Sequence, residues 1–254
     1  MFNPKVVLTA ILAASFSTAA TAEDVETERH KVSVSTLADG FTNPWGMTFL
    51  PDKSILVTER TGDIHWVSAN GNYREKISGT PEVVAKSQGG MLDITVDPDF
   101  EENNWVYISY SEAAQDDGKG NSTAVMRAKL NDKEFTDKEV IFRQAPKYES
   151  NAHFGSRLVF SPEGHLYITL GDRYSRMDDA QTLDNHHGKI VRIWPDGSIP
   201  EDNPFVGDDN ALDEIWSYGH RNVQGADIHP ETGKLWSVEH GPQGGDEVNI
   251  PEAG

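Results

Sequence analysis

Several polar residues in this sequence stand beside glycines, in loops where side chains and bare backbone can both reach a ligand. Gln88-Gly89-Gly90 is one such loop, its glycines letting the backbone approach a bound molecule closely. His153-Phe154-Gly155-Ser156-Arg157 is another, and Gly171-Asp172-Arg173 follows at the end of the next apolar run. Further on come Tyr218-Gly219-His220-Arg221-Asn222 and Glu239-His240-Gly241-Pro242, with Gly245-Asp246-Glu247 just behind. Imidazole moves protons near neutral pH, guanidinium binds anions, and carbonyls with carboxylates suit calcium. Singly, these residues carry little. A lone His before a strand is more often a hydrogen-bonded turn residue than a base, a lone Arg more often an ion-pair partner, and Gly-Pro usually a turn. His186-His187 suggests a metal at first sight, but neighbours on a strand point to opposite faces, so the pair reads as structural.

A repeat would bring these loops together. Four segments share one pattern: an apolar run, a proline with an acidic or glycine turn, then a strand rich in β-branched and aromatic residues. They are aligned on Pro51, Pro98, Pro162 and Pro230, at intervals near the ~40–50 residues of common propeller blades, with longer insertions. Further strands at 63–67, 124–128 and 189–194 fill out four-stranded blades. No long amphipathic helix is visible, and residues 208–213 read as an acidic solvated loop. The strand tryptophans and tyrosines read as blade core. The expected fold is therefore all-β, a β-propeller over residues 23–254, whose loops at one end of the ring converge on a shared site.

Composition narrows the setting. Residues 1–22 hold Lys5, an apolar stretch from Val6 to Ala14 and a small-residue end at Ala20-Thr21-Ala22, the pattern of a secretory signal peptide. That apolar stretch is too short to span a membrane, and no other segment is long and apolar enough. There is no cysteine, so burial and hydrogen bonds alone hold this exported chain. The net charge is −19, and the leader contributes only Lys5 to it. Nucleic acid is excluded as a partner for want of clustered Lys and Arg; acidic surfaces favour calcium and neutral or cationic ligands.

Taken in order, these loops resemble those of the soluble quinoprotein sugar dehydrogenases, periplasmic aldose dehydrogenases that use pyrroloquinoline quinone. The matching stretches are Asn43-Pro44-Trp45-Gly46-Met47, Gln88 to Asp93, His153-x-Gly155-Ser156-Arg157-Leu158, Gly171-Asp172, Leu183-Asp184-Asn185 with Gly188-Lys189-Ile190, Tyr218 to Asn222, and His240-Gly241-Pro242 with Gly245-Asp246-Glu247. The resemblance implies a six-bladed propeller with calcium and the quinone on the axis, oxidising the anomeric hydroxyl of an aldose to a lactone and passing electrons to an external acceptor. It implies His153 as general base, Asp172 as the group orienting it, and Arg221 against the quinone oxygens. Asn222, Gln88 and His240 would line the cofactor and sugar pocket. Gly241 and Pro242 would offer carbonyls to the calcium, and Glu247, with Asp246, carboxylate to a second, structural one. About four blades are visible, so the chain is expected to be an N-terminal portion, catalytically silent by itself. A non-catalytic carbohydrate- or partner-binding propeller and a calcium-dependent lactonase stay open as other readings, as does a homodimer. Export implies a periplasmic or secreted product. N-terminal sequencing of exported material is expected to begin at Glu23, and a mature chain keeping Met1 would contradict the leader.

Overall fold

The computed structural model describes residues 23–115 and 118–254; the leader expected at 1–22 lies outside the described residues. Two compact units are distinguished, one reaching Asp39 and one running Gly40–Gly254. In the first, β1 (Glu23–Glu26) and β2 (Lys31–Val34) form an antiparallel hairpin whose residues are all exposed.

The second unit is built of blades, as the repeat predicts. Blade 1 is β3 (Pro44–Phe49), β4 (Ile55–Glu59), β5 (Ile64–Val67) and β6 (Arg74–Lys76). Blade 2 is β7 (Met91–Val96), β8 (Trp105–Ala113), β9 (Asn121–Asn131) and β10 (Glu134–Arg143). Blade 3 is β11 (Gly155–Phe160), β12 (Leu166–Leu170), β13 (Lys189–Ile193) and β14 (Ile215–Tyr218). Blade 4 has three strands, β15 (Val223–Ile228), β16 (Leu235–Glu239) and β17 (Glu247–Asn249). Every neighbouring pair is antiparallel and sequential, so each proline-marked hairpin forms the first two strands of a blade. Helix is limited to α1 (Phe100–Asn103) and one 3-10 turn (Met177–Gln181) among the described residues.

The core lies between blades. Side chains alternate across a strand, so each blade feeds two interfaces. On β8, Val106, Ile108 and Tyr110 pack toward blade 1 with Leu56, Ile64 and Met91, while Tyr107 turns toward blade 3. On β12, Leu166, Ile168 and Leu170 face blade 2, and Tyr167 meets Trp216 and Leu235 toward blade 4. Each fully buried aliphatic side chain contributes about 1.5–3 kcal/mol of transfer free energy. The same alternation leaves Met47 and Phe49 of blade 1, and Val238 and Val248 of blade 4, exposed.

One irregularity recurs at the same place in every blade. The first strand slips register against the second between Pro44 and Met47, Met91 and Ile94, Gly155 and Leu158, and Val223 and Gly225. A bulge re-aims the residues within it. Here it turns Trp45, Asp93, Arg157 and Gln224 toward one another. Asp93 accepts from Arg157 Nη1 at 2.7 Å and from the Leu158 N–H at 2.9 Å. Arg157 Nε and Nη2 donate to the Gln224 carbonyl at 3.1 and 2.9 Å, and its guanidinium lies 4.7 Å above the Trp45 ring. Gly46 is needed for this closeness, since a Cβ there would sit 2.7 Å from Asp93 Oδ1. The cluster joins all four blades. Burial pushes the Asp93 carboxyl up, against the pull of Arg157 and the Leu158 N–H. Arg157→Ala would leave that carboxylate buried and uncompensated, a loss of about 3–5 kcal/mol. Urea unfolding of Arg157→Ala against wild type is the measurement, and a loss within the error of the midpoint would refute the coupling.

Candidate active site

The loops chosen from the sequence meet around one cavity. It has about 300 Å³ and is lined by Trp45, Arg60, Gln88, Leu92, Phe154, Gly155, Asn222, Gln224 and His240. That volume is at the lower end of small-molecule sites. Trp45, expected as blade core, lines the cavity instead, because the bulge at the head of β3 turns it out of the interblade packing. A larger cavity of about 730 Å³ lies among Arg176, Asp179, Asp184 and Asn210 and holds none of the residues assigned a role. The 300 Å³ cavity is the better candidate, because three of those residues converge there with apolar walls.

His153 stands directly before two residues of the lining. It is buried, and its Nδ1–H donates to Asp172 Oδ1 at 2.6 Å. The carboxylate can only accept, which fixes the proton on Nδ1 and leaves Nε2 with its lone pair. Nε2 has no partner among the described residues. The backbone there is left-handed at His153 (φ 53°), Gly155 (φ 63°) and Ser156 (φ 85°), and again at Arg173 (φ 58°) and Tyr174 (φ 69°). Non-glycine residues held at positive φ cost of order 1–3 kcal/mol each and collect at functional sites. Gly171 lets the two loops touch, for a Cβ there would lie 2.1 Å from the His153 carbonyl. Asp172 also accepts from the Tyr174 N–H at 2.7 Å and donates its own N–H to the Arg221 carbonyl at 2.9 Å.

The remaining residues divide. Gln88 lines the cavity, and its Oε1, expected to serve a ligand, accepts the His153 N–H at 2.7 Å, which leaves the amide nitrogen and the second lone pair of Oε1 for a ligand. Asn222 is buried, its Oδ1 accepting from the Gly155 N–H at 3.1 Å and from Gln224 at 3.0 Å. Arg221 does not line the cavity; its Nη1 donates to the His240 carbonyl at 2.7 Å. Gly241 sits in a tight turn where a Cβ would meet the Gly245 carbonyl oxygen at 1.7 Å, and the Pro242 carbonyl accepts the Gly245 N–H at 2.8 Å. Asp246 accepts the Gly241 N–H, and exposed Glu247 accepts from Asn249. His186 and His187 precede β13 in a turn rather than within the strand, and they diverge as expected, to Glu214 and to Asp179.

Three groups escaped the sequence reading. Arg60 lines the cavity, and its Nη1 donates to the Ser87 carbonyl. Arg173 is wholly buried beside His153. Glu59, Asp63 and His65 bring donor atoms within 4.8 Å of one another, although Lys76 and the Thr42 N–H already serve the two carboxylates. Their spacing on one hairpin was the available signal.

Residues 41–254 match the profile of the Glucose / Sorbosone dehydrogenase family. The chain belongs to that family. An aldose sugar dehydrogenase of Escherichia coli (strain K12) is 46% identical over 227 residues, covering 88% of this chain and 60% of its own length. Quinoprotein glucose dehydrogenase B of Acinetobacter calcoaceticus is 32% identical over 244 residues, covering 87% and 50%. Among solved structures, the PQQ-bound aldose sugar dehydrogenase of Streptomyces coelicolor superposes with a TM-score of 0.77 at 28% identity, covering 93% of this chain and 66% of that one. The chain thus spans roughly half to two thirds of the length of these relatives. Asn222→Ala would orphan the buried Gly155 N–H and release Gln224, an expected loss of about 1–3 kcal/mol in denaturant unfolding.

Proposed function

We propose that this protein, in its whole form, is an exported, periplasmic aldose dehydrogenase that oxidises the anomeric hydroxyl of a sugar to a lactone with pyrroloquinoline quinone as acceptor. The observation that carries the reading is the buried His153–Asp172 pair, its imidazole keeping Nε2 without a hydrogen-bond partner among the described residues and its loop running straight on into Phe154 and Gly155 of the cavity lining. Membership of the dehydrogenase family supports it.

The donor set suits a planar, anionic, aromatic group. Trp45 and Phe154 offer apolar faces, the Gln88 amide nitrogen a donor and Arg60 positive charge, while Arg221 stands outside the lining, bonded to the carbonyl of the lining residue His240. When bound, the quinone supplies the two-electron acceptor for the hydride that leaves C1 of the sugar. Everything else falls to the chain. His153 Nε2 takes the proton of the anomeric hydroxyl, and Asp172 steadies the imidazolium that results and holds the ring. The guanidinium of Arg221 stabilises negative charge developing nearby. A calcium ion, also part of the proposal, would draw on the carbonyl of Gly241 and the second lone pair of Pro242, with Asp246 and Glu247 as nearby carboxylates. Electrons would then leave for an external acceptor.

The test is dye-linked aldose oxidation with added quinone and calcium. The mature chain is assayed alone and joined to the part of the Escherichia coli relative that the match does not reach. In whichever form turns over, His153→Ala is expected to cost about 10²–10⁴-fold in kcat while largely sparing quinone binding, read by absorbance titration. Near-normal turnover of His153→Ala would reduce His153 to a structural residue.

A further inference from the structure

Asp172 accounts for the ring of His153 but not for its main chain, which is left-handed and therefore needs to be held. The residue after Asp172 does this. Arg173 has no exposed surface, and its guanidinium reaches back across the two loops. Its Nη1 donates to the carbonyls of Ala152 at 2.9 Å and of His153 itself at 3.1 Å. Its Nη2 donates to the Ser150 carbonyl at 2.6 Å and to Asn121 Oδ1 at 3.0 Å. Its Nε has no partner. The flat face lies 3.7 Å from the centre of the Phe154 ring, a wall of the cavity.

From this arrangement we infer that Arg173 is a positioning residue for His153. Asp172 fixes the imidazole and Arg173 fixes the peptide that carries it, so two successive residues grip the base at both ends. The inference rests on the reading of His153 as a base. The chemistry favours arginine specifically. A planar fork spreads donors over several carbonyls at once and offers a flat face to an aromatic ring; a lysine ammonium does neither. No carboxylate is in hydrogen-bonding contact with the guanidinium, so an ordinary buried ion pair does not account for it. The orphaned Nε fits a side chain placed for what its other two nitrogens hold, rather than one fully satisfied in a core.

The experiment reads the His153 ring directly, in the chain without quinone or sugar, so it stands whether or not the chain oxidises aldoses. Proton NMR should show a downfield imidazole N–H signal from the Nδ1–H held by Asp172, assigned by its loss in His153→Ala. Arg173→Lys and Arg173→Met are expected to weaken or abolish that signal and to speed its exchange with water, with the chain still folded by circular dichroism. Asn121→Ala, which removes one acceptor and leaves the guanidinium in place, is the milder change and should give a smaller effect of the same sign. In an active form, Arg173→Lys is expected to lower kcat by up to ~10²-fold with little change in KM, as a small misplacement of a catalytic group does. An unchanged signal and exchange rate in a folded Arg173 variant overturns the inference. Should both Arg173 variants fail to fold, an unchanged signal in Asn121→Ala overturns it equally. Absence of aldose oxidation together with a perturbed signal would instead refute the function and leave the positioning role standing.

Discussion

The axial contact between Asp93 and Arg157 is what the rest of the structure depends on. Blades are similar sheets packed face to face, and apolar packing alone specifies their spacing better than their rotation about the axis. A carboxylate that must meet a guanidinium and the Leu158 N–H, and a guanidinium that must also meet the Gln224 carbonyl and the Trp45 face, allows one arrangement. Thr58 adds to it from blade 1, donating to the Leu92 carbonyl at 2.6 Å. Because the groups come from four blades, displacing any blade leaves a buried polar atom without a partner, at about 1–3 kcal/mol for each. The floor of the cavity is thus set by the same contacts that align the blades.

The site above that floor is made by strain that the surroundings hold in place. Two loops carry non-glycine residues at positive φ, and they touch where Gly171 leaves room for the His153 carbonyl. Hydrogen bonds fix this geometry from three directions: Gln88 to the His153 N–H, Asp172 to its ring, and Asn222 to the Gly155 N–H. Each comes from a different blade or interblade loop. The His153 imidazole is therefore only as well placed as the blades are aligned, which would tie the proposed chemistry to the axial contact.

How much of this the sequence displays depends on the range of the interaction. The hairpins are legible because proline, glycine and acidic turn residues act locally, and alternating strand residues separate the two faces of each blade. The loops around His153 and Asp172 are legible as a set through their resemblance to a family, not through any spacing of their own. The bulges are only faintly legible: a glycine stands at the slip in three blades, Gly46, Gly155 and Gly225, but blade 2 slips at Leu92-Asp93 without one, and glycine does not say which way its neighbour turns, so Trp45 reads as core. Arg173 is hidden for a related reason. Apart from Asn121 Oδ1, its acceptors are the main-chain carbonyls of Ser150, Ala152 and His153, and carbonyls have no sequence signature. The second task of Gln88, accepting the backbone N–H of His153 while lining the cavity, is hidden for the same cause.

A protein of net charge −19 is an unpromising host for an anionic cofactor, and the cavity surroundings answer this locally. Arg157 is neutralised by Asp93, but Arg60, Arg173 and Arg221 are not neutralised in that way. They donate to main-chain carbonyls, of Ser87, of Ala152 and His153, and of His240, and none forms an ion pair among the described residues. A carbonyl satisfies a guanidinium's hydrogen bonds without cancelling its charge. Their charge is therefore opposed only by carboxylates that do not bond the guanidinium itself, Asp172 beside Arg173 and Glu239 at the Arg221 N–H, and in a partly desolvated cavity it is felt more strongly than the water-screened carboxylates of the outer surface. Burial lowers the Arg173 pKa to about 10, and the neighbouring Asp172 carboxylate pulls the other way. An acidic exterior and a locally cationic axis are thus compatible, provided that the arginines near the axis are held by backbone rather than by acid.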